Sequence, residues 1–122
     1  DIMHKGDALP KVLVAATLSD ALLEMTRKGL GMTAIVDAQD RVLGIFTDGD
    51  LRRTLDKTAD IRGTPISQVM GKNPRTIAPE VLAAEAVQQM EQYKINGLLV
   101  ADAQQRLVGA LNMHDLLRAG VV

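Results

Sequence analysis

Residues 17–53 recur at 82–118. A shift of 65 lays the two stretches on each other without a gap, and ten of the 37 positions are identical. The identities are Ala21/Ala86, Met25/Met90, Asp37/Asp102, Ala38/Ala103, Gln39/Gln104, Arg41/Arg106, Gly44/Gly109, Asp50/Asp115, Leu51/Leu116 and Arg53/Arg118. Ten of the other 27 pairs exchange one apolar residue for another, and the run "DAQ" is intact in both copies. A chain built this way folds as two similar halves, so the unit has to be read before the whole.

Each copy opens on a helical pattern. In "SDALLEMTRKGLG", Ala21, Leu22, Met25 and Leu30 fall near helical spacing, with Thr17 or Ser19 as N-cap and Gly29 and Gly31 as stop signals. Pro79 and Glu80 stand at the matching start in the second copy, where a missing N–H and a negative charge suit a first turn. Two short apolar runs follow in each copy, "MTAIVD" with "RVLGIF" and "GLLVAD" with "RLVGAL". They are short and rich in β-branched residues, which predicts strands joined by a tight turn. A second helix is expected over residues 48–57 and 113–119, and "KVLVA" and "PRTIA" read as leading strands. The prediction is an α+β fold: β-α-β-β-α twice, as halves 1–62 and 63–122. Neither half can cover both faces of a three-stranded sheet, so the halves are expected to pack around a pseudo-twofold axis.

Composition narrows the function. With 122 residues the chain makes one domain, or two small halves sharing a core. Phe46 and Tyr93 are its only aromatics, so the core is aliphatic with six Met as adaptable filler rather than metal ligands. Fourteen basic against fifteen acidic residues leave a net charge of -1. Neither the stacking platforms nor the positive potential of a nucleic-acid binder is present. There is no cysteine, which removes disulfides, thiolate catalysis and cysteine-held zinc. No apolar run is long enough to span a bilayer and no signal-peptide pattern is seen, so the expected location is cytoplasmic, away from membranes. The chain starts at Asp1 without an initiator Met and is expected to be part of a longer one. No nucleophile elbow, metal helix or phosphate loop appears, and no turnover, cofactor or metal is expected of this stretch alone.

The stretch "GIFTDGDLRR" carries the sharpest chemical question. Thr47 and Asp50 are spaced as a capping box, in which each side chain satisfies a free backbone N–H. The same pair at a helix start can also serve a ligand, with a hydroxyl for an anion and a carboxylate for a diol. The second copy, "GALNMHDL", keeps the acid as Asp115 and replaces Thr with Asn112, which caps equally well but brings an amide. His114 is either an exposed surface residue or a group that reaches an anionic ligand near neutral pH. Arg53, with Arg52, reads as a solvated basic face or as charge for a phosphate or carboxylate. "GMT", with Met32 and Thr33, and "NGL", with Asn96 and Gly97, are expected to form cleft walls. Asn96-Gly97 reads equally as a helix C-cap.

These features resemble a tandem pair of cystathionine-β-synthase (CBS) motifs. The resemblance rests on the duplicated unit, on "GIFTDGDL" with "GALNMHDL", and on the openings "DIMHKGDALPKV" and "SQVMGKNPRTI" with their Ile/Val-Met steps. Such pairs imply a ligand cleft in which Thr47 faces phosphate and Asp50 a ribose diol, with His4 and Lys5 in a segment that lines the cleft. They also imply a homodimer of two pairs. A narrower similarity, carried by "MHKGDALP", "EMTRKGLGMTAIVD", "GIFTDGDLRR" and "NMHDLLRAGVV", is to the C-terminal half of the bacterial arabinose-5-phosphate isomerases of the lipopolysaccharide 3-deoxy-manno-octulosonate (Kdo) pathway. In that family a sugar-isomerase domain precedes the pair. The resemblance implies a regulatory module that binds a nucleotide or nucleotide sugar, with CMP-Kdo as feedback ligand, or else a module that only oligomerises the enzyme.

Overall fold

The "DAQ" runs turn out to be the hinges of two hairpins. In a computed structural model, which describes residues 3–57 and 60–120, β2 (Met32–Val36) runs antiparallel to β3 (Val42–Thr47), and β6 (Gly97–Ala101) to β7 (Leu107–Asn112). Asp37 Oδ1 accepts the backbone N–H groups of Gln39 and Arg41, and its Oδ2 takes Arg41 Nε at 2.7 Å. Asp102 repeats the set with Gln104 and Arg106. The fourth loop residue, Asp40 or Gln105, sits at φ 66° or 63°. A type I turn followed by a left-handed residue is a standard way to close a hairpin. The most strictly repeated run is therefore explained by turn chemistry.

The first copy gains β1 (Lys11–Leu13), parallel to β2, and α1 (Leu18–Lys28). Thr17 caps α1 in a full box with Asp20, and Gly29, left-handed at φ 70°, ends it. Helix α2 (Asp48–Leu55) follows β3 directly. In the second copy β5 (Thr76–Ile77) pairs parallel with β6, α4 (Ala83–Tyr93) corresponds to α1, and α5 (Met113–Arg118) to α2. Pro79 and Glu80 do not start α4. Its N-cap is Leu82, without a side-chain cap, and Pro79 and Glu80 lie in the turn closed by Val81 N–H to the Ala78 carbonyl. Asn96-Gly97 is not the C-cap either: Lys94 adopts the left-handed conformation there, and Gly97 already belongs to β6.

Between the copies lie α3 (Ile66–Val69) and β4 (Gly71–Lys72). β4 adds a fourth strand beside β3, in the order β1-β2-β3-β4, where three were expected. The other sheet is β5-β6-β7, and His4 makes an isolated bridge to Ala110 on its edge. The compact units are Pro10–Pro74 and Asp1–Leu9 with Arg75–Val122. Each thus contains the opening segment that precedes the other copy's first strand.

Each unit has its own apolar core. Leu18, Ala21, Met25, Ile35, Phe46 and Ile66 pack together in the first. Ile77, Ala86, Val87, Met90, Leu98, Val100, Leu111 and Leu116 do so in the second. Two methionines seat the opening segments on glycines. A Cβ on Gly44 would collide with Met70 Sδ and come within 2.9 Å of the Gly71 carbonyl oxygen. One on Gly109 would lie 2.5 Å from Met3 Sδ, with its nearest backbone atom, the His4 carbonyl oxygen, at 3.4 Å. Gly44→Ala is therefore expected to cost about 1–3 kcal/mol by overpacking, and Gly109→Ala less, because a thioether swings away and a carbonyl does not. Urea unfolding of the two variants checks this; a larger loss for Gly109→Ala would contradict it.

Candidate functional site

The Thr47-Asp50 pair forms the capping box in full. Thr47 Oγ1 accepts the Asp50 N–H at 3.1 Å, and the Thr47 N–H donates to Asp50 Oδ2 at 3.0 Å. The Thr47 hydroxyl donates to the same Oδ2 at 3.0 Å, while Arg53 Nη2 holds Oδ1 at 2.5 Å. Both oxygens of Asp50 are thus engaged, yet its side chain keeps a fifth of its surface exposed and Arg53 is mostly solvated. An exposed pair of this kind opens at little cost.

Asp115 is held differently. Asn112 Oδ1 accepts the Asp115 N–H at 2.8 Å, so the cap is kept, but the return bond from the cap residue's N–H is not part of it. Asp115 Oδ2 instead meets the His4 ring, Nε2 at 2.7 Å, and Oδ1 meets Arg118 Nη2 at 2.6 Å. The carboxylate is 9% exposed. Burial pushes its pKa up, but the hydrogen bonds and charges of Arg118 and His4 outweigh burial and hold it below the ordinary carboxylate range.

The predicted residues therefore sort by unit. Thr47, Asp50 and Arg53 gather at the β3–α2 junction, with Met32 paired in register to Thr47 and Thr33 to Phe46. Met32 and Thr33 lie within β2 rather than in the connection before it, with their side chains buried. His4, Asn112 and Asp115 come together in the other unit, where Gly97 is in register with Asn112. The Asn96 carbonyl accepts the Met113 N–H at 2.8 Å, and His114 and Lys5 are exposed. Sequence reasoning left out Arg118, although the Asp-x-x-Arg spacing of 50/53 recurs at 115/118 and was there to be read. It also missed the His4–Asp115 contact, which joins residues 111 apart and has no local signal.

A concavity of about 440 Å³ opens between α1 and α2 in the first unit and is lined by Leu22, Met25, Thr26, Gly29, Gly31, Asp48 and Leu51. Gly31 of "GMT" lines it, and none of the side chains expected to hold a ligand does. No group of three or more His, Asp or Glu side chains suited to a metal ion occurs among the described residues, and none of their helices is long and apolar enough to cross a membrane.

Among the described residues, four carboxylates are held below their ordinary values and bear on acid-side stability. Backbone N–H groups, Arg41 first for Asp37 and Arg106 first for Asp102, hold these two turn acids below their ordinary values. Burial raises Glu24, but Lys28, the Lys11 N–H and Arg27 together bring it lower than usual. With Asp115 they make four groups whose folded pKa is depressed. Each contributes stability above the unfolded value, near pH 4, and loses it as pH falls through the folded one. The melting temperature is expected to be insensitive to these acids above about pH 5 and to drop steadily below pH 4. Asp37→Asn with Asp102→Asn should flatten that limb, as read by thermal unfolding between about pH 3 and 7.

Comparison with known proteins places this geometry in a context. The model of the CBS domain family matches residues 1–57 and 66–122. The chain is 57% identical over its whole length to the arabinose 5-phosphate isomerase KdsD of Pseudomonas aeruginosa, and covers 37% of that protein. It thus spans little more than a third of the curated relatives it matches. Among solved structures, the CBS domain pair of protein MJ0100, in complex with 5'-methylthioadenosine and S-adenosyl-L-methionine, superposes with a TM-score of 0.86 at 22% identity, over 99% of this chain and 93% of that one. CBSX2 in complex with AMP gives 0.82 at 23%, with the same coverage of each.

Proposed function

Given that the chain belongs to the CBS domain family, as a tandem pair homologous to the C-terminal region of arabinose 5-phosphate isomerase KdsD, we propose that it is the regulatory ligand-binding module of a sugar-phosphate isomerase in the Kdo pathway. Its effector is a nucleotide or nucleotide sugar, and CMP-Kdo is the feedback ligand. The preceding sugar-isomerase domain supplies the chemistry, and the pair biases it.

One observation carries the reading: both copies keep an aspartate one turn into the second helix, each gripped by an arginine three residues on. A carboxylate accepts both hydroxyls of a ribose diol, and the guanidinium released from it is then free for a phosphate or carboxylate. The ligands in the two solved pairs share a ribose diol, and CMP-Kdo has one as well as both kinds of anion. Binding regulates only if one conformation of the pair holds the ligand better than another. Calorimetric titration with CMP-Kdo, CMP, AMP and ATP tests the assignment: heat from the cytidine compounds supports it, and no heat from either removes CMP-Kdo as the ligand.

A second reading, oligomerisation of the enzyme through a homodimer of pairs, is favoured by leucines left on outer helix faces. Leu23 on α1 and Leu55 on α2 are 57% and 52% exposed. Sedimentation of the wild type beside Leu23→Asp with Leu55→Asp separates the readings, because a dimer held by these faces dissociates in the variant.

A further inference from the structure

Met3 and His4 come early in the sequence, yet they are built into the unit made by its second copy. Met3 packs on the core of the second unit and over Gly109, while His4 exchanges backbone hydrogen bonds with Ala110, N–H to O at 2.8 and 3.1 Å. Met70 and Gly71 repeat this placement on Gly44 and Ile45 in the other unit. There the match stops, because the position of His4 is taken by a glycine. His4 adds a side chain that the repeat does not require, and its ring lies 2.7 Å from Asp115 Oδ2.

The oxygen it reaches matters. In the first copy the corresponding oxygen of Asp50 is satisfied from within the same turn, by the N–H and hydroxyl of Thr47. In the second copy Asn112 caps through its own Oδ1 and leaves that oxygen to a residue 111 positions away. A contact from so far along the chain is a tether, and its partner is the carboxylate that the proposed function gives to the ligand.

We infer that His4 and Asp115 form a clasp that the ligand opens. A ligand whose diol takes the Asp115 carboxylate displaces the imidazole, and the segment of residues 3–9 loosens from β7. This rests on the ligand reading above and adds the route out of the site: residues 3–9 are the stretch on which a preceding domain would pull. The clasp and the ligand compete for one oxygen. Removing His4 therefore strengthens ligand binding by the reciprocal of the fraction of molecules whose clasp is open.

The test combines calorimetry with hydrogen exchange on the wild type, His4→Ala and His4→Gln, with CMP-Kdo as probe. Without ligand, His4→Ala should speed exchange of the amides of residues 3–9 several-fold, and His4→Gln, which still offers an N–H to Asp115, should restore much of the protection. With CMP-Kdo, the wild type should show the same acceleration, His4→Ala little more than it already has, and its affinity should rise several-fold. If CMP-Kdo binds but residues 3–9 exchange as before, the clasp is overturned and the ligand reading stands. If His4→Ala leaves exchange unchanged without ligand, there is no clasp. If no cytidine ligand binds any of the three proteins, the ligand reading fails and the opening step fails with it.

Discussion

Phe46→Ala is expected to lower stability by about 3–5 kcal/mol, the largest effect of any single substitution considered for this protein. Phe46 is fully buried and is the only phenylalanine in the chain. It sits in β3 among Leu18, Ala21, Met25, Ile35 and Ile66, a small cluster with nothing else of its volume to close the gap. A loss of that size is a large share of the roughly 5–15 kcal/mol that holds a domain together. Thermal unfolding should show a midpoint lower by on the order of 10 °C or more. The repeat suggests the milder control, because the equivalent residue in the second copy is Leu111. Phe46→Leu should cost about half as much or less. Equal losses for the two variants would mean that the cluster collapses around any small residue, and that Phe46 is not its keystone. Because Phe46 directly precedes Thr47, the Ala variant is also expected to blur the β3–α2 junction and weaken any ligand held there.

The second expected result separates a cap from a ligand site. Asn retains an acceptor for the Thr47 N–H, so Asp50→Asn keeps the capping geometry and gives up the exposed ion pair with Arg53. Such a pair is worth about 1 kcal/mol or less, and the melting temperature should move by only a few degrees. A ligand loses more, since the charged acceptor facing its diol is gone: affinity for CMP-Kdo should fall about 10- to 100-fold. The same substitution at Asp115 removes charge from a tighter set, His4 and Arg118 around a 9% exposed carboxylate, and should cost more stability. If Asp50→Asn and Asp115→Asn both bind CMP-Kdo like the wild type, Asp50 is a cap, Asp115 is the partner of His4 and Arg118, and neither holds the ligand.

Much of the architecture was legible because repeated local chemistry marks it twice. Asp37-Ala38-Gln39 and Asp102-Ala103-Gln104 point to a hairpin in each copy, and the turn's hydrogen bonds are made by those same acids. Thr17 and Gly29 mark α1 at both ends, as capping physics requires. The second copy misled at its helix. Pro79 and Glu80 look like a first turn, yet they form a separate turn ahead of α4, which starts only at Ala83, and Leu82 caps it with no side-chain bond. Packing of Ala86, Val87 and Met90 holds that helix where its own start signal is weak. β4 was missed because two residues, Gly71 and Lys72, carry no periodicity, and only the open edge of β3 makes them a strand.

Taken alone, the order of residues determined what is local and periodic: two copies of one unit, their turns, the caps at Thr17, Thr47 and Asn112, and an aspartate three places beyond Thr47 and beyond Asn112. Tertiary structure decided what depends on distance across the chain. It put Met3 and His4 on the strand that ends at Asn112, gave the Asp115 carboxylate an imidazole where Asp50 has a threonine, and set each opening segment in the unit of the other copy. The physical reason is that a capping bond is specified within four residues, whereas a sheet edge or a buried carboxylate accepts whichever donor the folded chain brings to it.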